Sequence, residues 1–295
     1  MSVREPAVAG MFYRAGAAGL EEQVESCFLG PGGPGSLPQV NPEGPRKIVG
    51  LVSPHAGFMY SGGVAAWAYC RLAEDGLPET AVLIGPNHRS YFPAIALSDE
   101  RAWRTPLGEV ALDPGIAAEI ASKCAMCEMS PAAHSAEHSL EVQLPFLQYT
   151  ANRAGAAVRI VPILVGAAAR SESPGGGIEA ARELGGAIAA ALQGKSAVVI
   201  ASTDFTHYET GESAMSKDSR AISSILALDE EGLLRAVDAL GISMCGALPT
   251  AAMIVACKKL GAASAKELAY RNSGDVTGDY TQVVGYAALE VCNNR

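Results

Sequence analysis

Histidine is scarce in this chain, with five in 295 residues. Positive charge is scarce too: 22 Lys and Arg stand against 31 Asp and Glu, a formal net charge of -9. No basic stripe is available to neutralise phosphates, which excludes non-specific nucleic-acid binding. No apolar run approaches the ~20 residues that span a bilayer. The opening MSVREPAVAGMFY holds neither an apolar core of secretory length nor a small-residue cleavage pattern. A soluble, cytoplasmic protein is expected. Seven cysteines are too few and too scattered for a secreted disulfide framework, so they read as thiols in a reducing compartment. Cys124 and Cys127 form one C-x-x-C, but a zinc ribbon needs a second pair and none exists. A phosphate-cradling G-x-x-x-x-G-K-[ST] loop is also lacking, as is a G-x-G-x-x-G after a strand.

What is present folds. Hydrophobic residues are 49% and charged residues 18%, the balance of a globular domain. Apolar, β-branched runs recur at 47–53, 80–85, 94–98, 158–165, 196–202 and 283–291. Most are continuous rather than alternating, as in strands buried on both faces. Alanine-rich helical patterns lie between them at 62–75, 113–123, 137–150, 178–193, 214–227, 229–239 and 247–260. The alternation predicts a single three-layer α/β domain over 1–295, its central sheet largely parallel or mixed and flanked by helices. The Gly- and Pro-rich stretches 30–46 and 167–177 are expected to be loops.

In an open α/β sheet, ligands bind beyond the carboxyl ends of the strands. Three of the five histidines follow a predicted strand there: His55 in SPHAG, His88 in GPNH and His207 in STDFTHY. One loop histidine is ordinarily a solvated group. Three at equivalent positions point to metal ligation or proton transfer, both of which need rigid placement. Gly57, Gly62, Gly63 and Gly85 are expected to permit close backbone approach and unusual φ values. Cys245 precedes Gly246 at a helix entry, where a lowered thiol pKa is expected. His134 and His138 are four apart, with a helix expected to begin near Ser135. His138 then reads as a neighbour of the site. Glu137 and Glu141 read as acids favoured by the helix start, and Pro145 as a kink or an end.

The ordered set AGMFY, SPHAGFMYSG, GPNH, EHSLEVQLPF, VPILVG, STDFTHY, MCGALP and GYAAL resembles the Memo family along nearly the whole chain. Bacterial and archaeal members are often called AmmeMemoRadiSam system protein B. The resemblance implies a fold similar to the class III extradiol dioxygenases, non-haem iron enzymes with a two-histidine, one-glutamate site. It implies that His55 and His88 stand at the two histidine positions. His207 falls near the acid/base position with Asp204 beside it, and Cys245 falls where the glutamate would be. Iron(II) is the first expectation from the resemblance, while a thiolate softens the site and makes copper or zinc more favoured than in the parent triad. Ring-opening activity does not carry over with that change. An unknown small-molecule substrate is implied, with AMMECR-type and radical-SAM proteins as pathway partners. An animal member is linked to binding phosphotyrosine-bearing receptor peptides. That role is not carried to this chain, which has phenylalanine in AGMFY where the animal pattern has tryptophan. Two other functions compete: binding of a metal or of a partner or peptide without turnover, and metal-free thiol chemistry with Cys245 as nucleophile and His207 as base.

Overall fold

Each of the six aliphatic runs forms a strand. A computed structural model describes residues 2–170 and 177–294, so 171–176 of the second expected loop lie outside the described residues. The strands are β1 (Val3–Arg4), β2 (Ile48–Ser53), β3 (Thr80–Pro86), β4 (Ile95–Leu97), β5 (Ala102–Thr105) and β6 (Gly108–Ala111), then β7 (Cys127–Met129), β8 (Arg159–Val165), β9 (Ala197–Ser202), β10 (His207–Glu209), β11 (Ala262–Asn272) and β12 (Val283–Asn293). The main sheet runs β10-β12-β2-β9-β3-β8-β4-β7, with β11 also paired to β12. Its centre, β2-β9-β3-β8, is parallel, while β12 is antiparallel to β2 and β4 to β8. A small second sheet joins β1, β5 and β6.

Helices cover both faces of this sheet, so the fold is three-layer α/β. That is why the strands read as unbroken apolar runs. Val82 and Ile84 of β3 pack into one core with helices Ile178–Leu192 and Ala247–Lys259. Their neighbours Ala81 and Leu83 pack into the other, with helices Phe58–Asp75 and Leu144–Arg153. Helix Ala247–Lys259 is apolar all round and buried from Ala247 to Cys257, as a helix enclosed on every side must be. It lies directly on β2 because Gly50 has no side chain: a Cβ there would stand 2.5 Å from Cys257 Sγ and 2.8 Å from Met253 Sδ. This contact fixes the helix entrance, where Cys245 sits.

Several local expectations fail for identifiable reasons. Pro145 neither kinks nor ends a helix. It lies in the first turn of Leu144–Arg153, where its missing N–H is not needed, and a 3-10 turn, Glu141–Gln143, leads into it. The expected helix over 137–150 is therefore two pieces, and His138 lies in the turn before both. The four glycines keep negative φ, so the expected unusual backbone is not found. Close approach is needed at Gly62, Gly63 and Gly85 but not at Gly57: a Cβ on Gly63 would stand 2.8 Å from the Gly32 carbonyl carbon and one on Gly85 2.7 Å from Leu140 Cδ2, whereas one on Gly57 meets nothing nearer than 3.6 Å. Helix Ala17–Leu29, the β5–β6 hairpin and the partly exposed β11 carry no strong periodic signal.

Candidate metal centre

Strands β2, β9 and β3 are adjacent and parallel, with Ser53 opposite Ser202 and Ile84 opposite Ala201. Their carboxyl ends therefore open on one rim. The second residue past each strand is His55, Asp204 and His88 respectively. Cys245 comes to the same place from the helix layer. The Gly246 N–H donates to Thr203 Oγ1 at 2.9 Å, and the Asp204 N–H donates to Cys245 Sγ at 3.3 Å. Cys245 Sγ stands 3.2 Å from His55 Nε2. The His55 and His88 rings meet edge to face, 5.3 Å between centroids.

His55, His88 and Cys245 offer three ligand atoms that all lie within 4.8 Å of one another. Metal–ligand lengths of ~2.0–2.3 Å place tetrahedral donors roughly 3.5 Å apart, so the cluster fits one ion. The electrostatics fit as well. His55 is buried, and that burial, with His88 and His138 nearby, holds its pKa well below the usual imidazole value. A neutral imidazole is the form that binds metal.

Glu137 belongs to this site, contrary to its reading as a helix-start acid. Its Oε1 accepts the His138 N–H at 2.8 Å and the Ser139 N–H at 2.9 Å. Oε1 also lies 3.1 Å from His88 Nδ1, and Oε2 accepts the His88 N–H at 2.5 Å. Burial opposes its ionisation. Hydrogen bonds from His138 and His88 outweigh that and hold its pKa well below the ordinary carboxylate value. His88, Glu137 and His138 form a second cluster of possible ligands. With four N–H groups already directed at the carboxylate, we read Glu137 as the support of His88. It orients the ring and raises the basicity of the other nitrogen.

His138 is where the sequence put it, beside the site. Its ring stacks on His88 at 4.8 Å and is backed by Phe12 at 4.6 Å. His134 is elsewhere, fully buried against Trp103. Glu141, the second misread acid, anchors the 7–13 segment in which Phe12 lies. Glu141 is fully buried, pairs with Arg4 at 2.7 Å and accepts from the Ala7 and Val8 amides and the Tyr13 hydroxyl.

His207 opens β10 rather than sitting in a free loop. It is held by Ser243: its N–H donates to Ser243 Oγ at 2.7 Å, and its Nδ1 lies 3.0 Å from the Ser243 carbonyl. A carbonyl only accepts, so Nδ1 carries a proton. Asp204 is buried, and its Oδ1 accepts the His55 N–H at 2.8 Å. Burial raises its pKa.

One expectation about Cys245 is reversed. Burial first, then the Asp204 carboxylate, push its thiol up to about 12. The helix N-terminus does not compensate, so the thiol keeps its proton until a cation displaces it. Cys124 and Cys127 stay free thiols outside both ligand clusters. No helix among the described residues is long and apolar enough to cross a membrane.

A family model described as Memo-like protein matches residues 4–290. A MEMO1 family protein of Methanopyrus kandleri is 48% identical over 97% of this chain and 98% of its own length. One from Methanothermobacter thermautotrophicus is 44% identical over 97% of this chain and 99% of its own. Another, from Ignicoccus hospitalis, is 43% identical over 98% of this chain and 99% of its own. The chain with this His-His-Cys cluster at its sheet rim belongs to the Memo family.

Proposed function

We propose that the protein binds one redox-active or Lewis-acidic metal ion through His55, His88 and Cys245, and acts on a small substrate beside it. Iron(II) is the first choice, with copper or zinc the alternatives that a thiolate favours. The observation that carries this reading is the convergence of two imidazoles and a thiol from three chain segments, their ligand atoms all within 4.8 Å of one another. A bound ion would supply charge stabilisation or electrons to a substrate at its open positions.

The protein's own groups take the remaining tasks. Cys245 gives its proton to solvent on binding the metal. Glu137 holds His88, and Asp204 pins the His55 backbone. His207, with Nδ1 fixed on Ser243, offers Nε2 as the proton acceptor or donor. The resemblance to class III extradiol dioxygenases supports an oxygenase-type or other redox reaction. Metal-free thiol catalysis is disfavoured, because a thiol raised to about 12 is a poor nucleophile near neutrality.

Anaerobic purification with elemental analysis tests the reading, with Cys245→Ser as comparison and oxygen uptake measured after iron loading. One ion per chain, lost or weakened in the folded variant, is the expected result. Absence of metal in both purified and reconstituted protein sinks it. Tight copper(I) binding with no turnover would replace the enzymatic half by metal handling.

A further inference from the structure

The oxygen atom that faces His55 from below is Ser202 Oγ, at the end of β9 and fully buried. Three polar groups surround it: the Ser139 carbonyl at 2.6 Å, Gln143 Nε2 at 2.8 Å and His55 Nδ1 at 3.0 Å. A hydroxyl has one proton and two lone pairs, so all three positions are taken. The Ser139 carbonyl only accepts and therefore receives the proton. Gln143 has its amide orientation fixed by two other contacts. Its Nε2 is 2.9 Å from the Pro54 carbonyl, which only accepts, and its Oε1 receives the Tyr69 hydroxyl at 2.9 Å. Gln143 thus donates to Ser202 and fills one lone pair. His55 Nδ1 can meet the second lone pair only as an N–H. Nε2 is then unprotonated, and it is the atom 3.2 Å from Cys245 Sγ.

We infer that Ser202, braced by Gln143 and Tyr69, is a positioning residue that locks His55 in the Nδ1–H tautomer and presents a bare Nε2 to the site. In water a histidine side chain favours its proton on Nε2, where it would block the ligand atom. The lock removes that competition and fixes the ring plane. Ser202 stands to His55 as Glu137 stands to His88, with a neutral hydroxyl in place of a carboxylate. The tautomer itself follows from the hydrogen bonds alone, and its use in metal binding rests on the function proposed above.

The test is long-range proton–nitrogen NMR of the metal-free full chain labelled with 15N-histidine, His55 being assigned from a His55→Gln spectrum. Wild type should show His55 protonated on Nδ1, and Ser202→Ala should move the population toward Nε2–H. Zinc(II) titration against a chelator should then find ~10–100-fold weaker binding in Ser202→Ala, the cost of losing a group that orients a ligand. An Nε2–H His55 in wild type overturns the lock, and that spectrum is decisive even if the variant fails to fold. An unchanged tautomer in folded Ser202→Ala also overturns it. Altered tautomer with unaltered zinc affinity overturns its service to the metal. Wild type that is Nδ1–H but binds no metal leaves the lock standing and removes the metal function instead.

Discussion

His134 and His138 look alike in the sequence, but His134 is sealed in the core, and that burial has a consequence in acid. His134 is fully buried with its ring 5.4 Å from Trp103, and Arg4 Nε donates to its carbonyl at 2.7 Å. Burial first, then the Arg4 charge, lower its pKa to about 3, against about 6.5 in an unfolded chain. Between those values the unfolded state binds a proton that the native state refuses. Stability therefore rises with pH in that window and is lost as pH falls below about 6.5, at up to ~1.4 kcal/mol per unit. From pH 7 to pH 5 this one residue removes about 2 kcal/mol. His134→Leu deletes the titration while keeping an apolar side chain beside Trp103. Guanidinium unfolding of metal-stripped protein at both pH values is the assay. The stability gap between wild type and variant should shift by about 2 kcal/mol in favour of the variant on going to pH 5. His55, also held neutral by burial, titrates in both proteins and cancels. Parallel pH dependences in the two proteins would refute the argument, and a loss of zinc affinity in His134→Leu would refute its placement outside the site.

Three further outcomes are expected. Glu137→Gln should weaken zinc binding by ~10–100-fold in a chelator competition, because the amide is a poorer acceptor for His88 Nδ1. Gly246→Ala should displace Cys245: its Cβ would stand 2.5 Å from Thr203 Cβ and 2.6 Å from the Ser202 carbonyl. A stability loss of about 1–3 kcal/mol with reduced metal stoichiometry is predicted, and unchanged stoichiometry counts against a backbone-fixed ligand. Glu141→Gln leaves the Arg4 charge buried without its partner, and chemical denaturation should report a loss of about 3–5 kcal/mol.

The parts of the site legible in the sequence are those that obey a local rule with a global consequence. His55, Asp204 and His88 each follow an apolar run, and that position becomes a shared rim because β2, β9 and β3 are parallel neighbours. Cys245 was legible as a residue but not in its ionisation, which depends on burial and on Asp204, 41 positions away in the chain. Glu137 and Glu141 obeyed a local rule that turned out not to apply. Each sits near a helix start, yet each is held by partners far along the chain: His88 for Glu137, and Arg4 and Tyr13 for Glu141. Ser202 and Gln143 carried no local signal at all, because an alternative hydrogen-bond partner for either is invisible until the strands are placed. Helix Ala17–Leu29 was missed for a simpler reason: its apolar face is only Leu20, Val24, Cys27 and Phe28, diluted by polar neighbours.

The hidden residues share a task, and that task makes the three imidazoles unequal. Each is anchored at Nδ1 by an oxygen acceptor: a hydroxyl for His55, a carboxylate for His88 and a backbone carbonyl for His207. A carboxylate acceptor raises the basicity of the opposite nitrogen most. His88 is therefore the strongest neutral donor of the set. His55 is weaker and more rigid, since its acceptor is itself saturated and buried. His207 has an uncharged acceptor and a half-buried ring. The proposed division into two ligands and one proton carrier therefore rests on what stands behind each ring, and that is set by residues outside every histidine motif.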